Sequence, residues 1–330
     1  MSGAIWAIAE VDAQGRATKL STEMATAARA LAEASGGTAA AVVVALDPTI
    51  AAADLVRFVP SVLAVAAPAG MGVAATVAAR VAALTADPAA GGAPAYLLCG
   101  ATPDGRDTAG MLAVLLDLAV AWNADAVEWG ASGPVIESTA LGGRVVNTFV
   151  IAEGRGILVL RAGACPAVET SAAGAVVALE PAGLRELPAV RVVETLPSAA
   201  VAASIEDARV VVVGGRGVGG PDGFGVLHEI ADELGGAVGA TRAAVDSGWV
   251  PFTIQVGQTG RTIRPAAYLG FGVSGAIQHT VGMRTSGTIV VVNRDADAPF
   301  AELADLFVVG DLGTVAPALR DALRARRDAS

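Results

Sequence analysis

The stretch Arg209–Gly220, RVVVVGGRGVGG, decides how the second half of this chain is expected to fold. Its run of valines predicts a strand that is covered on both faces, as in a parallel sheet. Gly215, Gly217 and Gly220 then follow with the spacing G-x-G-x-x-G, and a helix is predicted to begin near Asp222. Glycines at such a strand end let the backbone approach a phosphate, and the start of the next helix offers free N–H donors. The stretch therefore favours a phosphate-bearing ligand, although a tight turn without a ligand has the same sequence features.

Outward from this stretch, apolar runs alternate with segments of helical spacing. In the second half, strands are predicted at 209–213, 266–270, 288–293 and 306–309, and helices at 224–234, 274–281 and 315–324. In the first half, strands are predicted at 4–11, 39–46, 96–99 and 125–129, with helices around 20–31, 73–84 and 112–119. This alternation predicts an α/β protein with mainly parallel sheets flanked by helices, and a doubly wound second domain.

The alternation of predicted strands and helices changes after Gly142. Two strands, 145–153 and 156–161, are separated by Gly154-Arg155, which predicts a hairpin and hence a late antiparallel element. A proline-containing segment follows, and the domain boundary is predicted near 196–205. The expected domains are therefore 1–200, an N-terminal α/β domain, and 201–330, a ligand-binding α/β domain.

The composition excludes several classes of function. Hydrophobic residues make up 54% and charged residues 16% of the 330 residues, which suits compact cores rather than disorder. The net charge of −10, without a basic block, argues against binding to nucleic acid or to anionic membranes. Cys99 and Cys165 form no CxxC pair, and His228 and His279 are the only histidines. A disulfide framework or a metal site is therefore not expected.

A membrane span is not expected, despite a mean hydropathy of +0.59. One long apolar run stops at Asp47-Pro48 and another contains Asp117, so both fall short of the roughly 20 residues that a spanning helix needs. The N-terminus, MSGAIWAIAEVD, lacks the basic start of a signal peptide. The sequence therefore predicts a cytoplasmic protein.

Four more polar, glycine-flanked segments follow the glycine-rich turn. They are GATRAAVD (239–246), QVGQTG (255–260), GVSGAIQH (272–279) and VNRD (292–295). Such loops gather at the carboxyl ends of the strands in an open α/β sheet, which predicts one large polar ligand. Arg242 and His279 suit a group that becomes negative. An ordinary NAD site is less favoured, because the strand that should end in an acidic residue ends in Ala240-Thr241-Arg242.

The order and spacing of GGRG, RAAVD, QVGQTG, SGAIQH and GDL resemble the FAD domain of electron transfer flavoprotein α subunits. SGAIQH together with VGQTG is highly specific for that family. The first half resembles the family more loosely, through its GATPDGRD turn and the segments ALGGRVVNTF and GILVLRAGA.

The resemblance implies a role for each of nine residues. Arg216 would lie near the diphosphate of FAD and Arg242 over the isoalloxazine. Gln258 and Thr259 would line the flavin, with the Thr259 hydroxyl reaching N5. Ser274, Gln278 and His279 would contact the diphosphate, the ribityl chain and the flavin O2 side. Asn293 and Asp311 would hold the adenosine end. Arg242, Thr259 and His279 would thereby tune the redox potential.

Two departures from the family pattern concern this site. The loop after Gly217 reads VGGPDGF where relatives commonly carry a Glu-Asn pair, and Thr241 replaces the usual serine. The first departure places the diphosphate contacts of that loop in question, and the second is a mild change.

The resemblance also implies an electron carrier rather than an enzyme in the strict sense. It implies one FAD per chain and a β-subunit partner that holds AMP or a second FAD. Expected donors are flavin dehydrogenases such as the acyl-CoA dehydrogenases of fatty acid β-oxidation. The expected acceptor is a membrane quinone oxidoreductase or a ferredoxin-type protein. The alternatives are an NAD(P)-binding oxidoreductase or transhydrogenase-type domain, and a scaffold protein that has lost its cofactor.

Overall fold

The computed structural model describes residues 3–140, 145–152, 154–180, 192–194, 205–206 and 208–328. Contacts divide the chain into two compact units, Met1–Leu196 and Pro197–Ser330. The predicted boundary segment, 196–205, lies outside the described residues except for Ile205. Among the described residues, none of the helices combines the length and the apolar character that crossing a bilayer requires.

The first unit is built on a seven-stranded parallel sheet, accompanied by a small three-stranded antiparallel sheet. The strands of the unit are β1 (Ala4–Ala9), β2 (Thr38–Ala45), β3 (Ser61–Ala66), β4 (Pro94–Gly100), β5 (Val120–Ala124), β6 (Ala126–Gly130), β7 (Gly133–Ala140), β8 (Val145–Val150), β9 (Gly156–Leu160) and β10 (Ala175–Leu179). Its helices are α1 (Lys19–Ser35), α2 (Thr49–Leu55), α3 (Val73–Leu84) and α4 (Pro103–Leu116). The order in the large sheet is β10-β3-β2-β1-β4-β9-β5, so the α/β class predicted for this half is confirmed.

The predicted hairpin is wrong, although both of its strands exist. β8 pairs antiparallel with β7, whereas β9 lies between β4 and β5 in the parallel sheet. The physical reason is burial. All five residues of β9, Gly-Ile-Leu-Val-Leu, are buried, while every residue of β8 is exposed. A continuous apolar run suits a doubly covered parallel strand, and the short link between the two strands does not make them partners.

The order of the strands reverses between β1 and β4 in the large sheet. β2, β3 and β10 lie on one side of β1, and β4, β9 and β5 lie on the other. Glu10 follows β1 directly at this switch point, and its two carboxylate oxygens lie 2.8 and 2.9 Å from the Thr102 hydroxyl, which donates to them. A cavity of about 120 Å³ beside it is lined by Glu10, Cys99 and Asp104, among others. Burial raises the pKa of Glu10, and Asp104 acts in the same direction.

The second unit is a doubly wound domain, as the glycine-rich stretch predicts. Its strands are β11 (Val210–Gly214), β12 (Ala237–Thr241), β13 (Gln255–Val256), β14 (Ala267–Phe271), β15 (Thr288–Asn293) and β16 (Leu306–Val309). Its helices are α5 (Phe224–Glu233), α6 (Arg242–Asp246), α7 (Ile277–Thr280) and α8 (Leu312–Asp328). All neighbouring strands run parallel, in the order β13-β12-β11-β14-β15-β16.

Successive valines of β11 belong to apolar cores on opposite faces of this sheet. Val211 and Val213 belong to the core that contains Tyr268, whereas Val212 belongs to the core that contains Phe271. Side chains of a strand alternate between the two faces, so an unbroken run of valines is buried only when both faces are covered. This confirms the strand type that RVVVVGG predicts.

The raised pKa of Glu10 makes a prediction about stability. Because its pKa is raised, the Glu10 carboxyl group holds its proton more tightly in the folded state than in the unfolded chain. The stabilisation that the bound proton gives the folded state is complete below the unfolded pKa and is lost as the pH rises through the folded pKa. We expect Glu10→Gln, which cannot ionise, to gain in unfolding temperature relative to the wild-type protein as the pH rises above the ordinary carboxyl pKa of 4.5. Thermal unfolding of both proteins across this range measures the difference. A difference that stays constant with pH would contradict the expectation.

Candidate functional site

The switch point of the second sheet lies between β11 and β14. The chain passes from β11 outward to β12 and β13, and then returns to β14 and continues to β15 and β16. The loops after β11 and β14 therefore leave the sheet in opposite directions and open a crevice at its carboxyl edge, where open α/β sheets bind ligands. These two loops carry GGRG and GVSG.

The two loops are in direct backbone contact. Gly215 N–H donates to the Phe271 carbonyl at 2.9 Å, and Gly217 N–H donates to the Gly272 carbonyl at 3.0 Å. A Cβ on Gly215 would collide with the Gly272 carbonyl oxygen, and one on Gly272 would lie 2.7 Å from the backbone of Gly217. Gly272 also has a φ of +62°, in the region that favours glycine. Glycine is therefore required here by the packing of backbone on backbone.

The QVGQTG loop is fixed to α7. Gln258 N–H donates to the Gln278 carbonyl at 2.7 Å, which places these two residues side by side. The buried Gln255 side chain donates from Nε2 to the Thr259 hydroxyl at 3.0 Å. Gln258, Thr259 and Gln278 are exposed, so their amides and hydroxyl face solvent at the edge of the sheet.

His279 differs from its neighbours because its side chain is only 6% exposed. Its Nε2 lies 2.8 Å from the Tyr268 hydroxyl and its Nδ1 lies 3.0 Å from the Val256 carbonyl. Burial lowers the pKa of His279 to about 4, which leaves the ring neutral at physiological pH. Both nitrogens have partners inside the protein, and the contact at the flavin O2 side stays a prediction.

Arg242 lies at the carboxyl end of β12. Its side chain is 65% exposed, and its Nε donates to Asp246 at 3.2 Å. The preceding residue, Thr241, is buried, and its hydroxyl has no hydrogen-bond partner among the described residues. An unpaired buried hydroxyl costs about 1–3 kcal/mol, which a ligand polar group at this edge would offset. Thr241 is not among the nine residues predicted from the sequence, although a polar residue at the end of an apolar strand was the available signal.

The adenosine-side candidates lie on the last two strands. Asn293 ends β15, where its Nδ2 donates to the Val273 carbonyl at 2.9 Å and its Oδ1 accepts from Asp295 N–H at 3.1 Å. Asp311 precedes α8 and accepts from Gly313 N–H at 2.8 Å. Gly310 N–H donates to the Asn293 carbonyl at 3.0 Å, which brings the two segments together. Both side chains thus have local structural roles besides any ligand contact.

All nine predicted residues therefore lie at one edge of one sheet, each at the carboxyl end of a strand or in the segment that follows it. They are Arg216 after β11, Arg242 after β12, Gln258 and Thr259 after β13, Ser274, Gln278 and His279 after β14, Asn293 at the end of β15 and Asp311 after β16. The exposed members offer guanidinium, amide and hydroxyl groups beside close-packed glycines. This combination fits a dinucleotide with a diphosphate at the switch point. Within the described ranges, no group of three or more His, Cys, Asp or Glu side chains is placed to hold a metal ion.

Two family models match the chain, one in each half. Residues 204–284 match the family model described as "Electron transfer flavoprotein FAD-binding domain", and residues 5–184 match the "Electron transfer flavoprotein domain". The chain is 40% identical over 330 residues to the "Electron transfer flavoprotein subunit alpha" of Mycobacterium tuberculosis (strain ATCC 25618 / H37Rv), covering 96% of each chain. It is 43% identical over 245 residues to the protein of the same name from Mycobacterium leprae (strain TN), covering 71% of this chain and 73% of that protein.

The contact between the two loops makes a prediction. We expect Gly215→Ala to destabilise the protein by roughly 1–3 kcal/mol and to weaken ligand binding, because the new methyl group must push apart the loops that form the crevice. Gly225→Ala in α5 is the matched control, since its added Cβ meets no atom within 4 Å. That control should gain up to about 1 kcal/mol from helix propensity. Denaturant unfolding and flavin titration measure the two effects, and equal behaviour of the two variants would contradict the account of the crevice.

Proposed function

This chain belongs to the electron transfer flavoprotein α-subunit family, and we propose that it holds one FAD at the carboxyl edge of its second sheet and carries electrons as part of a heterodimer. The observation that carries the proposal is the convergence of all nine candidate residues on that edge. FAD accepts and donates electrons one or two at a time, and the protein supplies binding and electrostatics.

In this proposal, each group of residues holds one part of the ligand. The backbone of the GGRG and GVSG loops, with Arg216 and Ser274, surrounds the diphosphate. Gln258 and Thr259 line the isoalloxazine, and the Gln255 amide orients the Thr259 hydroxyl. Asn293 and Asp311 hold the adenosine end, and Gln278 faces the ribityl chain.

The side chains at this edge suit electron transfer better than bond-breaking chemistry. A catalyst needs a positioned acid or base. Among the candidate residues, His279 is the best suited to move a proton near neutral pH, and its ring is buried with both nitrogens engaged. Arg242 stays charged at any working pH, so it contributes a fixed positive charge rather than a proton.

The rival is an NAD(P)-binding oxidoreductase, favoured by the G-x-G-x-x-G spacing. β12 ends in Thr241 and continues into Arg242, which leaves no acidic side chain where a dinucleotide ribose is usually held. The purified protein should therefore carry the flavin absorption spectrum and show no measurable affinity for NAD(H). Tight NAD(H) binding to a colourless protein would support the rival instead.

The first unit offers a surface for the proposed β-subunit partner. β8 exposes Val145, Val146, Phe149 and Val150 by 37–57% of their surfaces. An exposed strand that carries four large apolar side chains is typical of an interaction site. We propose that the β subunit, with AMP or a second FAD, covers this strand. We further propose that flavin dehydrogenases such as acyl-CoA dehydrogenases donate electrons, and that a quinone oxidoreductase or ferredoxin-type protein accepts them.

The proposed interface predicts the effect of a charge on β8. Val146→Asp should weaken association with the co-expressed β subunit by roughly tenfold or more, because a carboxylate would be buried without a partner. Val114→Asp is the control, since Val114 is 83% exposed on α4. Sedimentation or titration of the purified subunits measures the affinity. If both substitutions leave association unchanged, β8 is not the interface.

The fixed charge of Arg242 predicts a change in redox potential. Reduction places negative charge on the flavin ring, and a nearby guanidinium stabilises this negative charge. Arg242→Ala should therefore lower the first reduction potential by tens of millivolts. For a one-electron couple, about 1.4 kcal/mol corresponds to ~59 mV. Arg242→Lys should recover part of the loss, because a compact ammonium lacks the planar guanidinium.

Asp246→Asn separates this effect from that of the ion pair between Arg242 and Asp246. It removes the observed partner and keeps the cation, so it should leave the potential unchanged or slightly raised. Redox titration of the flavin-loaded heterodimer gives each value. An unchanged potential in Arg242→Ala would show that Arg242 serves only in a surface ion pair.

A further inference from the structure

The cavity beside Glu10 in the first unit is separate from the nine residues of the second unit. Its volume is about 120 Å³, and it lies where the carboxyl ends of β1, β2 and β4 meet the starts of α3 and α4. Open α/β sheets bind ligands at such a switch point of strand order. The volume is several times the roughly 10–15 Å³ that one water molecule needs, so the cavity has room for a small organic molecule.

Most of the cavity wall is aliphatic. Ile8, Val44 and Val77 line it and are buried. Cys99 contributes a neutral thiol, since burial raises its pKa to about 12. Val73, at the start of α3, lines the cavity but is 54% exposed, so the opening to solvent lies on this side. An apolar chamber with a few converging polar groups is the usual form of a small-molecule site.

The carboxyl group of Glu10 is held in a fixed position at this cavity. A Cβ on Gly100 or on Gly105 would lie 2.7 Å from Oε1 of Glu10, so the two glycines make room for the carboxyl group. The Thr102 hydroxyl donates to both carboxylate oxygens, and the Glu10 N–H donates to the Ser21 hydroxyl at 2.8 Å. The position of the charge is therefore determined by its surroundings on three elements of the unit.

The charge of the cavity is negative. Its lining contains the carboxyl groups of Glu10 and Asp104, and none of the described residues that line it is a lysine, an arginine or a histidine. Burial raises the pKa of Glu10, and the charge of Asp104 raises it further. A positive group in the cavity would favour the ionised form of Glu10 and would offset the cost of its burial.

The Thr108 hydroxyl gives independent evidence for a polar ligand. Thr108 lines the cavity one turn after Asp104 on α4, and it is only 3% exposed. Within the part of the chain that the structure describes, its hydroxyl forms no hydrogen bond. By contrast, the hydroxyls of Thr22 and Thr26 on α1 donate to backbone carbonyls three and four residues earlier. A buried hydroxyl without a partner is costly, so a polar ligand atom that bonds to it would be stabilised.

We propose that this cavity binds a small organic cation, whose ammonium group lies between the Glu10 carboxylate and the Thr108 hydroxyl and whose aliphatic body packs on Val44 and Val77. An ammonium group has three donors and no acceptor, which matches a carboxylate and a hydroxyl oxygen. An anionic ligand would meet two like charges, and a purely apolar ligand would leave the Thr108 hydroxyl unpaired. The inference goes beyond the proposed function and does not rest on it, because every residue that it uses belongs to the first unit.

Three probes with the same four-carbon body test the charge preference. n-Butylammonium carries a cationic head, 1-butanol a neutral head and butyrate an anionic head. Calorimetric titration of the full-length protein, purified as it is produced, should show one saturable site for n-butylammonium. 1-Butanol should bind about tenfold more weakly, because it lacks the charge-assisted hydrogen bond, and butyrate should not bind. Equal affinity for the three probes, or no saturable binding to a cavity that holds water alone, would overturn the proposal.

Two substitutions of nearly equal volume test the named residues. Glu10→Gln should weaken n-butylammonium binding about tenfold or more, and Thr108→Val should weaken it about fivefold. Asp107→Asn is the control, since it removes an exposed carboxylate from the same helix that does not line the cavity. This control should keep the wild-type affinity.

The binding of 1-butanol shows whether the cavity is intact in Glu10→Gln. If 1-butanol binds this variant as it binds the wild-type protein, a selective loss of n-butylammonium affinity supports the assigned role of the carboxylate. Unchanged n-butylammonium affinity in Glu10→Gln would overturn the proposal, and so would an equal loss for both probes. The flavin content of the same preparations tests the proposed function separately, because the candidate flavin residues all lie in the second unit.

Discussion

The close contact between the glycine backbones of the loops after β11 and β14 is the constraint on which the rest of the site depends. Gly215 and Gly217 donate to carbonyls of Phe271 and Gly272, and there is no room for a Cβ between them. Because the loops meet at the point where strand order reverses, their contact sets the floor of the crevice. The loops that follow β12, β13 and β15 then reach the same edge, since every strand of this sheet runs parallel.

The two switch points of the chain differ in charge, and this difference explains why only one is proposed to hold a dinucleotide. In the first unit the carboxylate of Glu10 lies at the switch point, bonded to Thr102 beside the start of α4. That carboxyl group already occupies the space beside this helix N-terminus, where a ligand anion could otherwise bind. In the second unit the corresponding loop offers glycine backbone and the exposed cation Arg216. Similar topology therefore leads to different ligand chemistry because the residue after the first strand differs.

Much of this could be predicted from the sequence, because the decisive signals are local. Unbroken valine runs and glycine-flanked polar loops identify the parallel strands and the edge at which the candidate residues lie. The pairing of β8 with β7 could not be predicted from its short link to β9, since pairing depends on which strand is covered on both faces. The partners of the His279 ring could not be predicted either, because Tyr268 and Val256 lie 11 and 23 residues away in the chain.

The burial of His279 also changes how the site would control charge on a bound flavin. A histidine that donates to the flavin and an arginine beside it would share that task. Here Nδ1 of the buried ring lies 3.0 Å from the Val256 carbonyl and Nε2 lies 2.8 Å from the Tyr268 hydroxyl, so both nitrogens have partners inside the protein. In the proposed site, Arg242 supplies the fixed positive charge, and its exposed guanidinium forms a surface ion pair with Asp246. Because such pairs are weak in water, the guanidinium can turn toward a negative ligand at small cost.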